Sequence, residues 1–404
     1  MSEAIFTAQE LAEILAYNRP KYVWAAVGEI YDLAFAALIL AVLVRPLYRW
    51  SERAAARMAP LRRWPVLGPV SSALDRAWRG PGWGAAVLFV MAIHGLAVLA
   101  SLPGNIYFNL HEWRFGLSTY TVGGLLWDEV KGVGIMAAYK MLLAFGIYGL
   151  ARRLRSWWVV LGAVSAGLLL FSAALDPYRA RLYFDQEPLA QGALRQSVDE
   201  LMRKAGIAYS DILVEKSSRA SRKVQAYFAG QGPTRAIVVT DTLLNEFDRD
   251  EVLAAVAHEA GHVGEPRWPN RIAAGLALFA LMGFIEWLFR VCARRGWWGV
   301  LERADIRTLP LVTFCVVMSI SLSIPASAYF SRERERAADR YAMALTQDPR
   351  AFRRMLVKAT RINKMDPDPP RWLVLRRGSH PPMSERIRAA EEWQKNDAPA
   401  SGSL

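Results

Sequence analysis

Cysteine is almost absent from this 404-residue chain: only Cys292 and Cys315 occur, both at or inside apolar runs. Two such residues indicate neither a disulfide framework nor a cysteine-ligated metal site, and they read as small apolar packing groups. Histidine is nearly as scarce, limited to His94, His111, His258, His262 and His380. The first twenty residues lack the basic start of a cleavable signal. Ser2-Glu3-Ala4 instead opens an acidic stretch continued by Glu10 and Glu13, which leaves membrane insertion to the first apolar span. The net charge of +13 lacks the distribution expected of a nucleic-acid binder. Arg45, Arg49, Arg53, Arg57, Arg62, Arg63, Arg76 and Arg79 crowd one connection between apolar runs; Arg152, Arg153 and Arg155 sit in a second. Arg294, Arg295, Arg303 and Arg307 occupy a third. Basic residues confined to alternate loops report membrane orientation, and no nucleic-acid partner is expected.

What the chain does have is apolar length. Hydrophobic residues make up 53% of it. Ser156–Leu175 and Leu309–Ser331 carry no charge over 20 and 23 positions. A membrane-crossing helix needs about 20 such residues, so both qualify. Val23–Val44, Gly82–Leu102, Val133–Leu150 and Ile272–Val291 bring the count to about six spans, with the lipid bilayer as surroundings. Glu29, Asp32, His94, Lys140 and Glu286 fall inside them. Such residues either line a hydrated cavity or form structural bridges, and both readings stay open. A transporter is the reading that spans and charges alone would suggest, but paired broken helices are missing.

Between the fourth and fifth spans lies a polar segment. Pro188–Gly206 has the pattern of an amphipathic helix; Ile212–Glu215, Val224–Ala229 and Ala236–Thr240 read as strands. Asp241 and Thr242 suit a helix cap, and Asp248 and Asp250 suit the start of the helix that runs from Glu251 to His262.

That helix carries His258-Glu259-Ala260-Gly261-His262. Positions i and i+4 share a helix face, so both imidazoles can reach one ion, with Glu259 beside them as general base. A third protein ligand is required, and Glu335 is the candidate. It shares a face with Asp339, whereas Glu333 competes for the role. Arg332, Arg334, Arg336 and Arg340 leave open the alternative of a solvated charged helix. Two spans separate His262 from Glu335 and none follows, so these residues and His380 emerge on one side of the membrane.

His258–His262, followed two spans later by Ser331-Arg332-Glu333-Arg334-Glu335-Arg336-Ala337-Ala338-Asp339, resembles the type I CAAX prenyl proteases, integral-membrane zinc metallopeptidases related to bacterial heat-shock membrane proteases. Asn109–Phe115, Leu125-Leu126-Trp127-Asp128, Pro188-Leu189-Ala190-Gln191-Gly192, Ala226-Tyr227-Phe228, Ile237–Leu244 and Ser379–Arg386 extend the resemblance in the family's order over most of the chain. It implies one Zn²⁺ per chain held by His258, His262 and Glu335, with Asp339 supporting a ligating histidine. His380 and Arg386 would join Glu259 at the catalytic centre. Gln225, Ala226, Tyr227 and Phe228 would bind substrate by edge pairing. The expected reaction is peptide hydrolysis by zinc-activated water. The alternative is a catalytically weak membrane quality-control or scaffold protein of the same fold. Gln225 stands where the family usually has asparagine, and one helix seen in seven-span relatives is not found between Arg45 and Arg79.

The expected fold is mainly α: a multi-span helix bundle with a small α+β zinc-metallopeptidase domain, enclosing a hydrated chamber. Its division is 1–175 (four spans), 176–270 (α+β segment with the zinc-binding helix), 271–331 (two-span hairpin), 332–396 (C-terminal catalytic segment) and 397–404 (disordered tail). The substrate is a peptide or protein, membrane-associated or lipidated forms included; the oligomeric state is not readable. The arginine-rich, lysine-poor composition suggests a bacterial inner membrane, and the basic loops put the catalytic face on its periplasmic side, although relatives with seven spans suggest the cytosol.

Overall fold

The computed structural model describes residues 5–58, 67–78, 82–171, 184–265, 268–302 and 304–397. Thr7 starts the first long helix, α1 (Ala8–Leu38), by accepting from Glu10 N–H while the Glu10 carboxylate accepts from Thr7 N–H. A wide turn at Ile39–Leu43 passes directly into α2 (Val44–Arg57). After a short helix, α3 (Leu67–Trp78), come α4 (Trp83–Arg114), α5 (Val122–Arg153) and α6 (Trp157–Phe171). Later, α10 (Trp268–Arg295) and α11 (Leu309–Thr346) complete the apolar set.

Five of these stretches are long and apolar enough to cross a bilayer: Ala8–Arg57, Trp83–Arg114, Val122–Arg153, Pro269–Arg295 and Ile306–Thr346. They contain five of the six candidate spans. The sixth, Ser156–Leu175, is an apolar helix of 15 residues as far as Phe171; its continuation lies outside the described residues, as does the tail from 398. Between Arg45 and Arg79 the chain does form a helix, α3, but its 12 residues fall short of a span. Outward-facing Ile30, Leu142, Leu276 and Leu322 are each about two-thirds exposed or more (67–73%), which suits acyl chains and not water. The bundle's own core holds Val44, Phe89, Tyr148, Trp157, Ile285 and Phe289. Buried Glu286 fits there because the Trp157 indole N–H donates to it at 2.6 Å and Arg290 at 2.7 Å.

The peptidase half is built on a four-stranded sheet in the order β1-β2-β4-β3. Here β1 is Gln186–Pro188, β2 Ile212–Glu215, β3 Ala226–Ala229 and β4 Ala236–Thr240. β2 and β4 run parallel in the centre; β1 and β3 are antiparallel edges. Sequence periodicity missed β1, three residues being too few for a pattern. Helix α7 (Ala193–Ala205) covers the sheet with Val198, Leu201 and Met202. Thr240, not Asp241 or Thr242, caps α8 (Asp241–Glu246) by accepting from Leu243 N–H; Asp241 instead accepts from Ser217 and Ser218. The side chain of Asp248 caps α9 (Arg249–Gly261) through Glu251 N–H, a cap worth about 1 kcal/mol. α12 (Pro349–Ile362), α13 (Arg371–Arg377) and α14 (Met383–Asp397) close the core over α9, with Phe352, Leu356 and Ile387 buried.

Helix α11 joins the two halves. Its 38 residues span about 57 Å, more than an apolar core of about 30 Å needs, so its C-terminal turns project into the peptidase core. Glu29 of α1 is neutralised there too: Arg377 Nη2 lies 2.6 Å from its carboxylate and Arg376 also pairs with it.

Candidate active site

Helices α9 and α11 cross where neither has bulk. A Cβ added to Gly261 would sit 2.8 Å from Ala338 Cα, so glycine is required for this approach. Because the helices meet here, Glu335 on α11 reaches both histidines of α9. Its Oε2 lies 3.3 Å from His258 Nε2 and its Oε1 lies 3.4 Å from His262 Nε2. The two imidazole rings stand 4.9 Å apart and nearly perpendicular. One donor atom from each of His258, His262 and Glu335 falls within 4.8 Å of the others.

The far nitrogens of both rings are anchored. His258 Nδ1 faces Asp339 Oδ1 at 2.9 Å, and His262 Nδ1 faces Glu265 Oε1 at 2.8 Å. A carboxylate accepts the Nδ1 proton in each case, which leaves Nε2 as the lone-pair donor directed at Glu335. Asp339 is itself clamped by the buried Arg386 of α14, through Nη2 at 2.6 Å and Nε at 2.8 Å. Arg386 therefore braces the site from behind Asp339.

A cation fits this set by two observations. Glu335 Oε2 is buried with no hydrogen-bond partner, an unsatisfied state that a cation relieves. The four carboxylates of Glu335, Asp339, Glu265 and Glu259 also outnumber the guanidiniums set against them, Arg386 on Asp339 and Arg334 at 3.8 Å from Glu265. Their field acts on His258: burial opposes its protonation, yet the hydrogen bonds to Asp339 and Glu335 push its pKa up to about 9. A divalent ion competes with protons for the same lone pairs.

Glu259 is half-buried next to the first histidine. Burial raises its pKa above the usual carboxylate value, while His258 and His262 pull in the other direction. His380 is half exposed and reaches in from the loop after α13, with Nε2 3.4 Å from Glu335 Oε1. Its Nδ1 is 2.9 Å from Ser379 Oγ. Burial holds the His380 pKa below its ordinary value. Arg332 ties that loop down, donating to Val374 O at 2.6 Å and Gly378 O at 2.8 Å.

Sequence candidates sort accordingly. Glu335 and not Glu333 faces the histidines; Glu333 turns out to pair with Arg336 at 2.5 Å. Arg332 is only 5% exposed, so this stretch is not a solvated charged helix. Glu265 was missed because it lies in the turn beyond the end of α9, where helix spacing gives no signal; the turn at residues 262–265 brings its carboxylate back to His262. Exchanging Glu265 for Gln should weaken metal binding by about 10- to 100-fold in a chelator competition assay, as loss of such an orienting carboxylate generally does. An unchanged affinity would remove Glu265 from the site.

Strand β3 is the open edge of the sheet. Thr240 N–H donates to Gln225 O at 3.0 Å, and the ladder then alternates through Tyr227 opposite Val238. Gln225 and Tyr227 therefore direct their backbone groups at β4, whereas Ala226 and Phe228 direct theirs outward. Tyr227 also donates its hydroxyl to Glu215 at 2.6 Å.

Comparison with known proteins agrees with this architecture. Residues 188–394 match the family described as Peptidase family M48. Residues 2–180 match the family described as CAAX prenyl protease N-terminal, five membrane helices. An uncharacterized metalloprotease, YhfN, of Bacillus subtilis is 29% identical over 75% of this chain and 72% of its own length. CAAX prenyl protease 1 of Saccharomyces cerevisiae is 22% identical over 94% of this chain and 86% of its own. The crystal structure of S. mikatae Ste24p superposes with a TM-score of 0.79 at 19% identity, covering 97% and 91% of the two chains. At that identity the superposition shows a shared fold.

Proposed function

This chain belongs to peptidase family M48 and is a membrane metallopeptidase, and from that premise we propose that it is a zinc endopeptidase whose ligands are His258, His262 and Glu335. What carries the proposal is the convergence of those three donors, with both histidines held in one tautomer by Asp339 and Glu265. Two imidazoles and a carboxylate suit zinc in a catalytic site with one position left open. When bound, zinc supplies Lewis acidity, acidifying a water and polarising the scissile carbonyl.

The chain's own residues do the rest. Glu259, its proton affinity raised by burial, takes the proton of the attacking water and passes it to the leaving amine. Ser379 Oγ, 2.9 Å from Nδ1, steadies the His380 ring, and Nε2 on its other side is the atom that donates to the developing oxyanion. Arg386 keeps Asp339 ionised and aligned, which keeps His258 in register. The substrate peptide pairs with β3 through the outward N–H and C=O groups of Ala226 and Phe228, and the side chain of Gln225 flanks that edge.

The test is a mass-spectrometric comparison of membrane peptides between cells carrying the active chain and cells carrying Glu259→Gln. Peptides with new termini should accumulate only with the active form. Identical peptide sets would favour the weak or inactive reading of this fold.

For location we propose a bacterial inner membrane with the active site on the periplasmic side, because the arginine-rich loops lie opposite it. Cys292 and Cys315 are buried, so the thiol to be probed is one introduced by Ser401→Cys. A membrane-impermeant maleimide should label it in intact spheroplasts; labelling only after lysis would reverse the orientation.

A further inference from the structure

Of the charged residues noted inside the spans, Glu29 and Glu286 are neutralised by arginines. Lys140 is not. It lines a cavity of about 720 Å³ between α4 and α5, shared with His94, Ser101, Asn109 and Tyr120 and, towards the start of α5, with the carboxylates of Asp128 and Glu129. That volume lies within the ordinary range of ligand sites.

Lys140 Nζ lies 3.1 Å from His94 Nδ1, and His94 Nε2 lies 3.2 Å from Val133 O. A carbonyl can only accept, so the imidazole proton sits on Nε2 and the ring is neutral towards the lysine. The ammonium thus spends one of its three hydrogens on an uncharged partner. Among the described residues no carboxylate pairs with it. The hydroxyls around the cavity are already committed, Ser101 to Val98 O and Tyr120 to Asp128. A cation in the middle of an apolar helix is costly without a counter-charge or a hydrated cavity. The cavity is present, and among the described residues no counter-charge reaches the ammonium, which leaves a ligand to supply it.

The far end of the cavity indicates from where. Asp128 lies about 18 Å from Lys140 along α5. It meets Arg219 at 3.4 Å, in the turn that precedes β3, and Thr119 Oγ1 donates to Ser218 O in the same turn at 2.6 Å. The mouth of the cavity therefore adjoins the segment that runs into the edge strand.

We propose that Lys140, oriented by His94, binds a carboxylate of the peptide substrate: its C-terminal group or an acidic side chain. The site anchors a part of the peptide remote from the bond being cut. It rests on the peptidase reading but on no step of catalysis. An ammonium–carboxylate hydrogen bond in a partly enclosed cavity is among the stronger polar contacts.

The experiment uses the full chain in detergent, carrying Glu259→Gln, and labelled peptides in matched pairs: free acid against C-terminal amide, and internal Glu against Gln. Fluorescence anisotropy reads affinity, and mass spectrometry confirms that each peptide stays intact. The carboxylate member of one pair should bind about tenfold or more tighter than its neutral twin. The member preferred identifies the source of the carboxylate. Lys140→Met should erase the difference, and Lys140→Arg should retain it. Each ratio is taken within one variant, so a partial loss of folding cancels. Equal affinities in the parent chain, or a preference surviving Lys140→Met, would overturn the proposal. So would a Lys140-dependent affinity for phosphatidylglycerol micelles in the absence of any peptide preference. Cleavage of the peptides by the Glu259→Gln chain would count against the catalytic assignment alone.

Discussion

Glu259→Gln should keep one metal ion per chain and lower kcat by about 10⁴-fold, at the upper end of what a general acid–base residue supplies. The size follows from double duty, since the same carboxylate accepts a proton in the attack and returns it to the leaving amine. Glutamine matches glutamate in shape but cannot take the proton. Glu259 lies outside the proposed ligand set of His258, His262 and Glu335, so metal content and melting temperature should stay at parental values. KM should also hold, because the loss falls on the transition state and not on substrate binding. Steady-state kinetics on a quenched-fluorescence peptide, with metal content measured in parallel, reads all of these. Undiminished turnover by the metal-replete variant would remove Glu259 from the mechanism.

The second large effect is His262→Ala. It deletes a ligand and strands two carboxylates, since Glu335 and Glu265 both face this ring at 3.4 and 2.8 Å. Metal should fall from about one to less than about a tenth per chain at micromolar zinc, and activity should fall with it. Because metal binds only the folded site, the variant should also lose the stabilisation that bound metal gives the parent by mass action. The control is the parent stripped with a chelator. Zinc should restore its activity and its melting temperature, and should restore neither in His262→Ala. Stoichiometric metal in the variant would mean that the ligands have been misassigned.

Much of this was legible in the chain because the signals are local. An i, i+4 histidine pair needs only helix geometry to place two ligands together, and long charge-free runs need only the thickness of a bilayer. Six stretches were therefore found, and the structure holds helices at all of them, five long enough to cross. Local patterns fail where the deciding contact is distant in sequence. Spacing alone left Glu333 competing with Glu335, and the crossing of α9 and α11 shows which of them faces the histidines. Gly261 reads as an unremarkable position within the motif until Ala338 is found against it. β1 is too short to show a period, and it becomes a strand only because β2 offers it an edge.

Arg386 shows the same limit from the other side. Its place in the site was inferred by resemblance, but what it touches required the fold: α14 has to pack on α12 before its guanidinium can clamp Asp339. His94 and Lys140 stood as two unexplained polar residues in separate spans, and their contact exists only once α4 and α5 lie side by side.

The sequence by itself determined that this is a membrane protein with a metallohydrolase motif. Both follow from composition and spacing along single helices, where neighbours in the chain are neighbours in space. The tertiary structure showed that Glu335 faces both histidines, which carboxylates hold their far nitrogens, and that Lys140 pairs with no carboxylate among the described residues. Those depend on how helices cross, and crossing is set by the fit of side chains such as Gly261 against Ala338 that no one-dimensional pattern records.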